Sequence, residues 1–162
     1  MCLIPNVIEN TKLPVISAGG IVSGRSMLAV MALGADAVQI GSRFVASAES
    51  SAHINFKKKI MSLKEGDTQL SLKKLIPVRL IKNDFYNSVQ FAEDKGASQH
   101  ELSLLLGKGR SKQGMFLGDI SKGELEIGQA SSMITDIKPA AEILHEIWDE
   151  YIVAKKRLCT VD

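Results

Sequence analysis

The chain has 162 residues, is 45% hydrophobic and carries a formal net charge of +2. It is long enough to bury a core. Its charge is too small, and its 5% aromatic content too sparse, to argue for nucleic acid. No run reaches the roughly 18 to 20 apolar residues that cross a bilayer, and Met1-Cys2-Leu3-Ile4-Pro5-Asn6 has neither the basic nor the apolar region of a signal peptide.

Cys2 and Cys159 sit at opposite ends and build neither a disulfide framework nor a metal site, so a reducing cytoplasm is the simplest home. Leu3, Ile4, Val7 and Ile8 have helical spacing and predict a helix ending near Asn10. A strand follows over Val15 to Ser17. Ser23 is the predicted N-cap of a helix with apolar positions Met27, Leu28, Val30, Met31 and Leu33, stopped by Gly34. Ala37 to Ile40 is the next strand. Both strands read as nearly continuous apolar runs, the pattern of a parallel sheet covered on both faces. Together they make a right-handed β-loop-α-β unit.

Beyond Phe44 the pattern changes. Ser51 to Leu63 is amphipathic, and Lys57-Lys58-Lys59, like Lys155-Lys156-Arg157, reads as a solvated helix face. Thr68 to Lys82 alternates, with Pro77 interrupting, and predicts two short strands or an extended ribbon. Asp84 to Lys95 and Ser98 to Leu106 are predicted helices. Gly107 to Gly128 is glycine-rich and predicts loops. Ile137 to Leu158 is a long helix with Ala140, Ala141, Ile143, Leu144, Ile147, Trp148, Tyr151 and Ile152 on its apolar side.

The two strand ends carry the chemistry. Val15-Ile16-Ser17-Ala18-Gly19-Gly20-Ile21 and Ala37-Val38-Gln39-Ile40-Gly41-Ser42-Arg43-Phe44 each run from β-branched residues into glycine. Two such loops on one edge of a parallel sheet suit a phosphate, because glycine bares its N–H and has no Cβ to block approach. In a (β/α)8 barrel the loops after the last two strands are the usual phosphate position. Gly19, Gly20 and Gly41 would give amides and Ser42 a hydroxyl. Ser23 would aim the positive end of its helix at the same loop. Gln39 needs a partner if it points into a barrel: either a ligand polar atom or a core group. Arg43 fits an outward-facing salt bridge better than a phosphate contact.

Only two strands look parallel, whereas a closed barrel needs eight and about 250 residues. The chain is therefore expected to be the C-terminal part of a larger α/β protein. The glycine motifs resemble the nitronate monooxygenase family, formerly called 2-nitropropane dioxygenase, which includes the FMN-dependent enoyl-acyl-carrier-protein reductase II. Pro77-Val78-Arg79-Leu80-Ile81-Lys82-Asn83, Gly114-Met115-Phe116-Leu117-Gly118-Asp119, Gly123 to Gln129 and Pro139 to Ile143 extend the likeness, which runs from Leu3 to about Tyr151.

The resemblance implies an FMN-binding (β/α)8 TIM barrel with a small inserted α+β domain. Residues 1–50 would be the last two β/α units, 51–134 the small domain and 135–162 the closing helix. It implies FMN held by Gly19, Gly20, Gln39, Ile40, Gly41 and Ser42, with Gln129 on the substrate side and no metal. Asp119 would lie in a segment covering the flavin, while Met115 and Phe116 serve packing. The catalytic residues, a histidine among them, would belong to the N-terminal barrel half, and His53, His100 and His145 would not be catalytic. The implied activity is oxidation of an alkyl nitronate by dioxygen to a carbonyl compound and nitrite. The alternatives are NAD(P)H-dependent reduction of an enoyl thioester through FMN, and a non-catalytic truncated fragment. No nucleic acid or membrane partner is expected. The implied partners are a small-molecule substrate and the N-terminal barrel half, and a homodimer is allowed.

Overall fold

A computed structural model describes residues 2–160. The chain divides into two compact units, Met1–Glu49 with Ile137–Asp162, and Ser50–Asp136.

The first unit contains helix α1 (Leu3–Glu9), strand β1 (Ile16–Ala18), helix α2 (Gly24–Ala32), strand β2 (Ala37–Gln39), the short helix α3 (Ser42–Val45) and the long helix α7 (Ala140–Cys159). Strands β1 and β2 pair in parallel with Ile16 opposite Ala37, Ser17 opposite Val38 and Ala18 opposite Gln39. Asp36 fixes the start of this ladder, accepting from Val15 N–H through Oδ2 at 2.7 Å while its own amide donates to Val15 O at 2.9 Å.

The expectation that both faces of these strands are covered fails here. Ser17 is buried, whereas Ile16 is 62% exposed and Ala18, Ala37 and Gln39 are also exposed. Side chains alternate between faces along a strand, so Ser17 and Val38 face one side while Ile16, Ala18, Ala37 and Gln39 share the open one. Two strands cover one face only, and the apolar runs need a second layer that these residues do not form.

Helix α2 starts with a capping box. Ser23 Oγ accepts from Ser26 N–H at 3.2 Å, and Ser26 Oγ accepts from Ser23 N–H at 3.0 Å. Such reciprocal bonds satisfy amides that the helix itself leaves unpaired. At the other end Gly34 adopts φ +101°, the left-handed conformation that glycine reaches without a Cβ penalty. Helix α7 buries Ile143, Ile147 and Tyr151. It begins at Ala140 rather than Ile137. Its apolar side is narrower than the sequence suggests: Ala141 is exposed, and Leu144 and Trp148 are 60% and 51% exposed. One buried residue per turn is what a single neighbouring layer requires.

Helices α2 and α7 meet backbone to backbone at Gly24. A Cβ built there would overlap Tyr151 N and Ile147 O.

The second unit contains α4 (Ile54–Met61), β3 (Thr68–Ser71), β4 (Val78–Ile81), α5 (Asp84–Asp94), α6 (Gln99–Leu106), a π-helix (Lys112–Phe116) and a 3-10 helix (Gln129–Met133). Strands β3 and β4 are antiparallel. Residues 124–127 extend this pairing: Ile81 N–H donates to Leu125 O at 2.9 Å, Ile127 N–H donates to Arg79 O at 3.2 Å, and Leu80 sits opposite Glu126. Leu72, Leu80, Phe85, Tyr86, Val89 and Leu102 form its core cluster.

Three readings of this region change. Lys57 is not on a solvated face: it is 5% exposed and its Nζ donates to Ser50 O at 2.8 Å. Helix α4 starts at Ile54, with His53 as its cap, rather than at Ser51. The stretch expected to be loop holds the π-helix, because Gly114 and Gly123 let the backbone approach closely. A Cβ on either would overlap the other's segment.

Gly24→Ala is expected to destabilise the first unit by about 3 kcal/mol, at the upper end for forcing a methyl into a filled space. Gly41→Ala, at φ −100° with open space around it, should be near neutral. Urea unfolding of both variants checks the contrast.

Candidate functional site

The parallel register brings the two glycine loops together. Gly20 lies two residues beyond Ala18, and Gly41 two residues beyond Gln39, the residue paired with Ala18. Both loops therefore leave the same end of the sheet. Gly19 and Gly20 hold φ +96° and +74°, a region L-residues rarely adopt. Both are exposed, as is Gly41, and a Cβ on any of the three would meet nothing within 4 Å. The loops thus leave an open space into which backbone amides can point. Gly41 caps α3, and Ser42 opens that helix half-buried. Ile40 is half-buried beside it.

Gln39 is exposed on the open face of β2, so no core group among the described residues buries it. Arg43, in α3, is 7% exposed.

The expectation for the α2 dipole also changes. Gly24 N–H donates to Glu150 Oε2 at 2.7 Å, and Arg25 Nε donates to Glu150 Oε1 at 2.7 Å. Val22 and Ser23 amides donate to Ser26 Oγ at 3.1 and 3.0 Å, and Ser26 N–H to Ser23 Oγ. The positive end of α2 already faces a carboxylate and is not presented to an incoming anion. Glu150 was not anticipated from the sequence. It flanks the Ile147–Tyr151 stripe, where a glutamate looks like ordinary helix surface.

In the second unit, Gln129 is exposed at the start of the 3-10 helix. Met115 is half-buried, and Phe116 is 47% exposed rather than packed. Asp119 organises its own loop. Its Oδ1 accepts from Lys122 and Ser121 amides at 2.9 and 3.1 Å, and its Oδ2 from Gln113 Nε2 at 2.7 Å. These bonds, the Lys122 amide first, hold its carboxyl below the usual carboxylate range. His53 caps α4, its Nδ1 accepting from Asn55 N–H at 3.1 Å, and His100 and His145 are exposed.

Glu124 and Glu126 share one face of the extended segment and line a groove of about 420 Å³ with Leu72, Leu75 and Val78. Glu124 is 5% exposed. Burial first, then the neighbouring Glu126 charge, pushes its pKa up, against a hydrogen bond from Ser111 and the Arg110 charge. Among the described residues, no three His, Cys, Asp or Glu side chains gather as a metal site. No helix there is long and apolar enough to cross a membrane.

The nitronate monooxygenase family model matches residues 1–150. The chain belongs to the nitronate monooxygenase family. A "Probable nitronate monooxygenase" of Staphylococcus saprophyticus is 35% identical over 120 residues, covering 70% of this chain and 33% of that protein. The structure of FabK from Thermotoga maritima matches with a TM-score of 0.88 at 34% identity, over 96% of this chain and 50% of that one. Nitroalkane oxidase from Streptomyces ansochromogenes matches with a TM-score of 0.77 at 29% identity, over 97% of this chain and 44% of that one. The chain thus spans about half the length of these solved structures. Its α/β fold is consistent with the C-terminal portion of a TIM-barrel enzyme.

The two shifted carboxyls give opposite pH behaviour. Asp119 has a lowered native pKa, so its contribution is present above its unfolded value near ~3.9 and lost as pH falls through the native value. Asp119→Asn should therefore weaken the second unit at neutral pH and converge on wild type in acid. Glu124 has a raised native pKa, so its contribution is present below ~4.3 and lost as pH rises through the native value. Glu124→Gln should gain on wild type as pH rises past that value. Thermal melts across pH check both directions.

Proposed function

We propose that this chain supplies the phosphate-binding side of an FMN-dependent nitronate monooxygenase. The observation that carries the cofactor assignment is the pair of exposed left-handed glycines, Gly19 and Gly20, at the same sheet end as Gly41. A dianion needs donors that cost little to organise, and backbone amides on a fixed loop meet that need. Gly19, Gly20 and Gly41 would donate through their amides, Ser42 through its hydroxyl, and Ile40 would pack beside the ribityl chain. Gln39, on the open strand face, can reach a polar atom of the same ligand. Gln129 would stand on the substrate side.

A bound flavin supplies the electron transfer. The residues of this chain bind and orient it. The family match and the curated relative support oxidation of an alkyl nitronate by dioxygen to a carbonyl compound and nitrite. The second reading, reduction of an enoyl thioester by NAD(P)H through FMN, is the alternative set out above. What keeps it in play is the level of likeness: FabK and nitroalkane oxidase match this chain over nearly its whole length at comparable identity. The groups that would separate the two substrates lie with the remaining strands of the barrel. The cytoplasm and a homodimer fit this reading.

Gly41→Leu fills the cradle without disturbing the fold, because the glycine has open space and an ordinary φ. In the complete enzyme it should lower FMN affinity by at least about tenfold, the effect of losing one charge-assisted contact or more. A flavin-saturated variant after purification would remove the assignment. Wild-type enzyme should release nitrite from a nitronate in air without NAD(P)H. Turnover confined to an enoyl thioester with NADH would move the function to the second reading.

A further inference from the structure

Gly19 and Gly20 are slung between two fixed points. On one side is buried Ser17 of β1. On the other, Ile21 is 4% exposed and leads at once into the first turn of α2. That turn is tied in two ways. The Val22 and Ser23 amides are held by Ser26 Oγ, within the turn itself. The Gly24 amide is held by Glu150 from α7, a residue 126 positions away. Gly24 also touches the α7 backbone so closely that no side chain fits. The exit of the glycine loop is therefore set by α7.

We propose that Glu150 is a positioning residue for the phosphate cradle. By gripping the Gly24 amide from α7, it fixes the conformation in which Gly19 and Gly20 present their N–H groups. This rests on the reading of those amides as the flavin-phosphate site. The carboxylate neutralises the end of α2, so the anion depends on the aim of the loop amides rather than on the helix dipole. Hydrogen bonds weaken steeply once misaligned, and a loop freed at its exit loses that aim. The ion pair with Arg25 is secondary: Arg25 is 77% exposed, and exposed pairs contribute little.

The test uses the complete enzyme and four variants. Glu150→Met removes both acceptor oxygens and keeps the aliphatic stem, and Glu150→Ala removes the same acceptors should methionine not be accommodated. Glu150→Gln keeps one oxygen for the Gly24 amide. Arg25→Met removes only the ion pair. Nitrogen-15 relaxation, without ligand, reads the Gly19 and Gly20 order parameters. Amide shift titrations read FMN against riboflavin, which lacks the phosphate.

In the two deletion variants the order parameters should fall from about 0.85 to below about 0.6. FMN affinity should drop about tenfold while riboflavin affinity holds. Glu150→Gln and Arg25→Met should stay near wild type. Unchanged order parameters in Glu150→Met and Glu150→Ala would overturn the clamp. Equal loss of FMN and riboflavin would reduce Glu150 to a general stabilising role. Equal wild-type affinity for the two flavins would instead remove the phosphate reading on which the proposal stands.

Discussion

Position 24 has no room for a side chain, and the first unit is built around that fact. Two helices separated by 107 residues of chain, 33–139, approach until the Cα of one lies on the backbone of the other. Such an approach strands polar backbone groups unless something satisfies them. Glu150 does so from α7, with one oxygen on the Gly24 amide and the other on Arg25. The close approach also brings Tyr151 and Ile147 over the start of α2, where both are buried. Displacing that contact would move α2, and α2 carries the loop that leaves β1.

The glycine loops were legible because glycine at the end of a β-branched run has few purposes. It either turns the chain or bares the backbone, and Gly19 and Gly20 do the first while leaving space for the second. Three of the helix starts were legible for the same kind of reason, whereas those of α4 and α7 were not. Ser23, Asn83 and Ser98 each cap the helix that follows, and each accepts from the third residue beyond it. What the sequence could not carry was exposure. Ile16, Leu144 and Trp148 read as core because they are apolar and in phase, yet burial depends on whether another layer exists. Lys57 shows the converse. In a run of three lysines its charge suggests solvent, but three consecutive residues fan over about 200° of a helix, and Lys57 is the one at the buried edge. Its long stem lies along the protein while the ammonium finds Ser50 O.

The second unit shows a different limit. Glu124-Leu125-Glu126-Ile127 alternates, and the ordinary reading puts leucine and isoleucine inside and both glutamates in water. Leu125 and Ile127 are indeed buried. The glutamate face, however, also carries Leu80 and meets Leu72 and Val78, so Glu124 is buried too. Desolvation then works against its charged form, and the Arg110 charge and Ser111 hydroxyl offset only part of that. Alternation reports which residues share a face. It does not report what the fold later lays over that face. Asp119, a few residues earlier, is the opposite case: three donors surround it, and its charge is what holds the turn.

These two treatments of charge bear on how the first unit would hold the anion proposed for it. A helix end is the cheapest positive potential a fold can offer, and α2 spends its own on Glu150. The remaining donors are loop amides, which carry no net charge and act only at contact distance. Such a site discriminates by shape before it attracts by field. It therefore needs a rigid loop more than a basic one. Gly19 and Gly20 hold positive φ, and the Val22, Ser23 and Gly24 amides that follow them are each bonded. On the proposed reading, the carboxylate that weakens the electrostatic attraction is the same group that ties the exit of the glycine loop.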